Sequence, residues 1–154
     1  MKIKAGDPGW QETHLAAYLK TDGAEGRIVD FSAAGGSTET PCLVLRTKGR
    51  RSGEAKLLPL IYGEDGGDYV IVASKGGAPK DPAWYLNLEA DPHVGFQVGG
   101  EKFDGHAKVV EGAERDRLYE MMSKIYPPYI AYQAKTERKI PVVRLHPQSR
   151  IEKL

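Results

Sequence analysis

The sequence predicts an α+β fold, mainly antiparallel: a small β-barrel with helices packed on its outside. Three observations carry this. Short apolar runs recur along the chain, separated by glycine-rich turns. Two of those turns, Glu64-Asp65-Gly66-Gly67 and Gly99-Gly100, are hairpin signals. Helix-period stretches are few and lie between the strands rather than in one block. The chain has 154 residues, 40% hydrophobic and 28% charged, which suits one domain with a sizeable core.

The elements follow in order. Residues 8–20 read as a helix, with Pro8 near its first turn and Trp10, Ala17 and Tyr18 at helical spacing. Its mixed charge favours docking on the barrel over resting on a membrane surface. Residues 21–40 hold several glycines and few large apolar side chains, and read as a long, mobile loop. Strands are expected at 42–47, 56–62, 68–73, 94–98, 103–110 and 141–145, the last ending before Pro147. Pro59 marks an edge strand or a bulge. Helices are expected at 81–89, 113–125 and 127–136, with Asp81 as the N-cap of the first and Pro82 as its first residue. Residues 1–40 thus form an N-terminal helix and loop, and 41–154 the barrel, in a single structural domain overall.

Composition excludes several classes. The formal net charge is +1, so there is no broad basic surface of the kind that binds nucleic acid. Cys42 is the single cysteine, so no internal disulfide exists; between Pro41 and an apolar run it reads as a buried, inert thiol. The N-terminus lacks the apolar stretch of a signal peptide, and no run reaches the ~20 residues of a membrane span. The expectation is a cytoplasmic monomer or small oligomer. His14, His93, His106 and His146 lack metal-ligand spacing, and no nucleotide-binding glycine loop or nucleophile elbow occurs. Any chemistry then depends on a bound organic cofactor.

The charge that exists is concentrated. Arg46, Lys48, Arg50, Arg51 and Lys56 fall within one short stretch opposed only by Glu54, around a turn bracketed by Gly49 and Gly53. Thr47, Ser52 and glycine N–H groups add donors, the composition of a pocket for phosphate or carboxylate. A second loop, Ser74-Lys75-Gly76-Gly77, runs from a strand toward a helix start, and reads either as an ordinary connection or as a second anion loop. Tyr126, Tyr129 and Tyr132 recur at a spacing of three and share one face of a helix. That face is either core or the wall of a partly wet pocket, because three buried phenols need three polar partners.

Taken together, Thr47-Lys48-Gly49-Arg50-Arg51-Ser52-Gly53, Leu58-Pro59-Leu60, Ser74-Lys75-Gly76-Gly77, Pro82-Ala83-Trp84-Tyr85-Leu86-Asn87-Leu88, Tyr126-Pro127-Pro128-Tyr129 and Ile140-Pro141-Val142 resemble the actinobacterial deazaflavin-dependent nitroreductase family. The resemblance covers about residues 40–147. It implies a split β-barrel (an FMN-binding-like roll) with outer helices, and reductase activity with the reduced 8-hydroxy-5-deazaflavin coenzyme (F-420). It implies that Arg50, Arg51, Ser52 and Lys56 hold the coenzyme's phosphate and glutamate tail, and that Leu57, Leu58, Pro59 and Leu60 pass along its ring. Val72, Ala73, Ser74 and Lys75 would line the ring and its linker, and Ala83, Trp84, Tyr85, Leu86 and Asn87 would close the other side. Tyr126 and Tyr132 would face the substrate, with Tyr129 nearest the coenzyme; Tyr126, Tyr129 and Ser74 are the catalytic candidates.

The implied reaction is hydride transfer to an activated alkene, a quinone or a nitroaromatic, with a proton from a tyrosine or from water. Two other readings of the same residues are an FMN-dependent oxidoreductase on the same barrel and a non-catalytic deazaflavin carrier.

Overall fold

The computed structural model describes residues 2–154. Its elements are α1 (Trp10–Lys20), β1 (Ile28–Val29), β2 (Thr40–Lys48), β3 (Ala55–Ile61), β4 (Gly63–Asp65), β5 (Asp68–Val72), α2 (Ala83–Ala90), β6 (His93–Val98), β7 (Glu101–Val110), α3 (Gly112–Ile125), α4 (Pro128–Lys135) and β8 (Val142–Arg150), with short 3-10 turns at Ser32–Ala34 and Lys75–Gly77. All the strands pair antiparallel in one curled sheet of order β1-β2-β6-β7-β8-β5-β4, with β3 added on β2. This is the expected split-barrel architecture with outer helices.

Strands at the centre of the curled sheet are buried on both faces. Cys42, Val70 and Val72 face a core layer with Leu118, Met122 and Val142, roofed by α3 and α4. Their neighbours Leu43, Leu45, Ile71 and Val143 face the opposite way, onto Phe96, Leu145 and Leu88 of α2. Successive side chains of a strand point to opposite faces, so two such layers make the middles of β2 and β5 read as unbroken apolar runs. Cys42 is buried as expected, and desolvation pushes its thiol pKa far up.

Turn chemistry sets the register. Asp65 opposes Asp68, leaving Gly66 and Gly67 as a two-residue connection with φ of 60° and 88°. Both central residues of such a turn need positive φ, which glycine adopts without steric cost. Pro59 lies opposite Val44 on β3, whose other edge is unpaired, so its missing N–H breaks no ladder.

Four expectations are corrected. The 21–40 stretch is tied down rather than a plain loop: Ile28 and Val29 pair with Pro41 and Thr40, and Asp30 bridges Lys4. The last strand does not stop at Pro147 but continues to Arg150. A bulge at Asp104/Gly105 sets Pro147 opposite Gly105, and β5 pairs β8 only as far as Leu145, so the proline lies where one side of the strand is open. Asp81 does not cap α2. Pro82 holds the N-cap position in extended conformation, the helix starts at Ala83, and Asp81 instead pairs with Arg138 at 2.8 Å. Tyr126 is not on the helix of Tyr129 and Tyr132; it terminates α3, and α4 begins after Pro127.

α1 docks through His14, Ala17 and Tyr18. The Tyr18 hydroxyl donates to the Gln97 carbonyl at 3.1 Å and accepts from the Gly99 N–H at 2.7 Å, fastening the helix to the β6–β7 hairpin. His14 lies wholly buried with Nε2 2.7 Å from the Gly26 carbonyl, and burial depresses its pKa below the ordinary 6.5. Among the described residues no helix is long and apolar enough to cross a membrane.

Two outcomes are expected. Tyr18→Phe strands the Gly99 N–H and lowers stability by about 1–3 kcal/mol in urea unfolding. For His14 the folded state binds its proton less readily than the unfolded state, so its contribution is present above the unfolded pKa and is lost as pH falls below it. The unfolding midpoint should therefore decline below about pH 6.5, and less steeply in His14→Gln.

Candidate active site

Two cavities open side by side along β3. The first, about 490 Å³, is lined by Gly49, Arg50, Arg51, Ser52, Lys56, Leu57, Leu58, Ala83, Trp84 and Asn87. The second, about 310 Å³, is lined by Pro59, Leu60, Ile61, Val72, Ser74, Lys75, Gly76, Pro82 and Trp84, and by the aromatic rings of Trp10, Phe31, Tyr126, Tyr129 and Tyr132. Trp84 belongs to both, and the lining passes from Leu58 to Pro59 along one strand, so the two adjoin as neighbouring parts of a groove along β3.

The first cavity is cationic because of the β2–β3 turn. Gly49 N–H donates to Glu54 and Gly53 N–H returns to Gly49, closing the loop. Asn87 on α2 braces it: its Oδ1 accepts from the Arg50 backbone N–H at 3.2 Å and from the Arg50 guanidinium at 3.0 Å, while its Nδ2 donates to Thr47 at 3.2 Å. Arg50 is thus aimed, and Asn87 acts through it. Arg51 makes no hydrogen bond or ion pair among the described residues, so its full donor fork faces solvent and cavity. Lys56 lies 3.8 Å from Glu54, both largely exposed.

Two of the five clustered cations are not in this cavity. Arg46 sits against Gly95 and pairs with Asp104 at 2.6 Å. Lys48 lines a separate small cavity with His93. On a strand, positions 46 and 48 share the face opposite to that of 47, which chain spacing alone did not resolve.

The second cavity is walled largely by aromatic rings, with Ser74 and Lys75 at its edge. Trp10 meets Phe31 edge-on at 5.6 Å, Phe31 meets Tyr126 at 5.4 Å, and Tyr126 meets Tyr129 at 4.9 Å, a preferred edge-to-face geometry. The Tyr126 and Tyr132 hydroxyls share a hydrogen bond at 3.0 Å, while Tyr129 hydroxyl has no partner among the described residues. Burial pushes the Tyr126 and Tyr129 phenols above their ordinary range, so both are neutral donors at physiological pH. The three tyrosines are both core and wall.

Three of the expected contact residues lie elsewhere. Ala73 is wholly buried in the barrel core, one residue out of phase with Val72 and Ser74. Tyr85 faces a different cavity, beside Arg115 and Gly112, and Leu86 packs against the core; the groove is reached instead from Ala83, Trp84 and Asn87, a helical turn apart. Gly76 of the candidate anion loop lines the groove, and Trp10, Phe31, Ile61 and Pro82 line it without having been anticipated. Ile61 and Pro82 adjoin anticipated residues, but nothing local to Trp10 or Phe31 signals a site, since long-range docking alone brings them there. Among the described residues no group of His, Cys, Asp or Glu is placed to hold a metal ion.

The curled sheet and its edge groove define a split-barrel protein. Solved structures at low identity share that fold, among them HutZ, a haem storage protein of Vibrio cholerae, at 16% identity and TM-score 0.53. More specifically, the chain belongs to the F420H(2)-dependent quinone reductase family, whose model matches residues 10–147. That match begins thirty residues before the stretch on which the sequence resemblance rests, and includes Trp10 and Phe31. An F420H(2)-dependent quinone reductase of Mycobacterium tuberculosis is 38% identical over 135 residues, 86% of each chain. A solved F420-H2 dependent reductase (FDR-A) is 42% identical with TM-score 0.65, covering 69% of this chain and 94% of that one. A further structure, described as a domain-swapped dimer, is 35% identical with TM-score 0.68 and covers 88% and 95%.

The bracing of the cationic loop predicts a contrast. Asn87→Ala leaves the buried Thr47 hydroxyl and the more exposed Arg50 without their shared partner, and should cost about 1–2 kcal/mol in denaturant unfolding. Arg51→Ala removes no hydrogen bond or ion pair among the described residues and should leave the unfolding midpoint where it is.

Proposed function

We propose that this chain is a reductase that passes a hydride from the reduced 8-hydroxy-5-deazaflavin coenzyme to an electron-poor acceptor: a quinone first, with activated alkenes and nitroaromatics of the nitroreductase kind also in range. The observation that carries this is the pair of adjoining cavities, one cationic and one aromatic, that share Trp84. Its chemistry fits the coenzyme. A polyanionic tail needs charge-assisted donors, which Arg50, Arg51, Ser52 and Lys56 supply. A flat ring needs a long apolar seat, which Leu57, Leu58, Pro59 and Leu60 supply, with Ala83, Trp84 and Asn87 opposite and Val72, Ser74 and Lys75 at the inner end.

When bound, the coenzyme supplies the hydride. The protein's part is to hold the acceptor flat over the seated ring and stabilise the charge that develops. Tyr126, Tyr129 and Tyr132, with Trp10 and Phe31, form the wall that stacks an aromatic acceptor. Tyr129 hydroxyl points no hydrogen bond into the protein, so it is available to the acceptor. Because burial raises these phenols, water is the favoured proton source and the tyrosines orient rather than ionise. Residues 1–40 and 41–154 act as one unit, since Trp10 and Phe31 complete the cavity. The protein acts in the cytoplasm as a monomer or dimer; anchoring through α1 is disfavoured because the His14, Ala17 and Tyr18 face is committed to the core.

Cofactor titration tests the reading. The deazaflavin coenzyme should bind tightly and FMN weakly at moderate salt, and equal FMN affinity would overturn the assignment. Arg50→Ala with Arg51→Ala should weaken coenzyme binding by about 2–5 kcal/mol. Tyr126→Phe and Tyr129→Phe, assayed at saturating coenzyme against enones, quinones and nitroaromatics, should stay within about tenfold of the parent; a loss of about 10²–10⁴-fold would identify a tyrosine proton donor instead. Binding without turnover on any acceptor would identify a carrier.

A further inference from the structure

The loop between β5 and α2 has an unusual backbone. Ser74 is right-handed (φ −78°, ψ −40°), whereas Lys75 and Gly76 are left-handed, with φ of 47° and 63°. A left-handed lysine is uncommon and persists only where its surroundings enforce it. A right-handed residue followed by a left-handed one turns three successive N–H groups toward one point, a concavity that takes an anion. The N–H groups of Ser74, Lys75 and Gly76 make no hydrogen bond among the described residues.

One side chain enforces this shape. Arg138, on the segment after α4, donates to the carbonyls of Ala73 (3.1 Å), Ser74 (2.6 Å) and Ala78 (2.7 Å), and pairs with Asp81 (2.8 Å). Its own carbonyl is held at 2.8 Å by Gln133 of α4, the helix that carries Tyr129 and Tyr132. In a trans peptide the C=O and the following N–H point in opposite directions. Drawing the Ala73 and Ser74 carbonyls toward Arg138 therefore turns the Ser74 and Lys75 N–H groups away from it. Arg138 lines a cavity on the far side of the loop, with Pro79 and Glu137, whereas Ser74, Lys75 and Gly76 line the aromatic cavity. A Cβ on Gly77 would lie 2.6 Å from the Tyr132 carbonyl, so helix and loop are in backbone contact.

We infer that the Ser74, Lys75 and Gly76 N–H groups form an oxyanion cradle in the aromatic cavity, and that Arg138 is the positioning residue that builds it. The inference rests on the function proposed above. A quinone that accepts a hydride, two electrons and one proton, becomes a monoanion with charge on one oxygen; a proton from water then gives the neutral hydroquinone as the coenzyme is left oxidised. Pre-aimed N–H donors stabilise that oxygen as its charge develops. The same donors also suit a phosphate oxygen of the coenzyme, so the two sources need separate arms.

Backbone amide NMR of the coenzyme-free protein decides this without turnover. A nitrophenolate probe mimics the acceptor oxyanion and inorganic phosphate mimics the coenzyme. Saturable shifts at the Ser74, Lys75 and Gly76 amides are expected with nitrophenolate; the same shifts with phosphate alone would keep the cradle and assign it to the coenzyme. Shifts with neither probe would overturn it. Arg138→Gln should weaken nitrophenolate binding about tenfold or more and lower kcat/KM by a similar factor. If that variant does not fold, Arg138→Lys, a point charge unable to span the same carbonyls, should give a smaller loss in the same direction. Unchanged nitrophenolate affinity in a folded Arg138 variant removes the cradle while leaving the coenzyme site intact. A parent protein that fails to bind the coenzyme removes the proposed function, and the amide shifts still stand or fall alone.

Discussion

The unpaired edge of β3 is the constraint on which the rest of the molecule turns. β2 is paired by β3 on one side and by β1 and β6 on the other, which leaves β3 as a margin of the sheet among the described residues. Pro59, lacking an N–H, sits in that margin and discourages another strand from joining it. An edge blunted in this way stays open to a ligand. α2 stands off from it by the width of the groove, with Trp84 as the shared wall.

The two ends of the groove are built by different physics. At the cationic end a tight turn gathers like charges, which repel unless a ligand or a dipole relieves them. Asn87 relieves part of this by accepting twice from Arg50, so a neutral amide aims a cation without neutralising it. At the other end burial dominates. Aromatic rings exclude water, their phenols stay protonated, and polar needs are met by one another or left to a ligand. A molecule with a charged tail and a flat head matches this sequence of environments, which is the argument for a deazaflavin and an aromatic acceptor.

Interior arginines serve geometry more than charge here. Arg115 spans the Ile140 carbonyl and Gln133, and Arg138 spans three carbonyls and Asp81. Both act on the segment linking α4 to β8, and through it they hold the tyrosine wall and the Ser74 loop in fixed register. A planar guanidinium can satisfy several carbonyls at once, where an ammonium acts as a point charge. The groove is therefore shaped by groups that do not touch it.

Much of this was legible from the chain. Hairpin turns such as Gly66-Gly67, the edge role of Pro59, the buried Cys42 and the cationic turn at Arg50 and Arg51 are local signals: each depends on the conformational freedom or charge of neighbouring residues. The motifs also pointed to a reductase that uses the deazaflavin coenzyme, though to nitroreductases, where the family matched is that of the F420H(2)-dependent quinone reductases. What local signals lacked was direction. They did not reveal that Arg46 turns to Asp104, that Asp81 serves Arg138 rather than α2, or that Ala73 and Tyr85 face away from the groove. Nor did they reveal that Trp10 and Phe31 reach it. The sequence by itself determined which elements form, where the turns lie and where charge collects, since these follow from short-range sterics and composition. The tertiary structure alone decided which side chains share a cavity, because that depends on how a curled sheet brings residues far apart in the chain onto the same face.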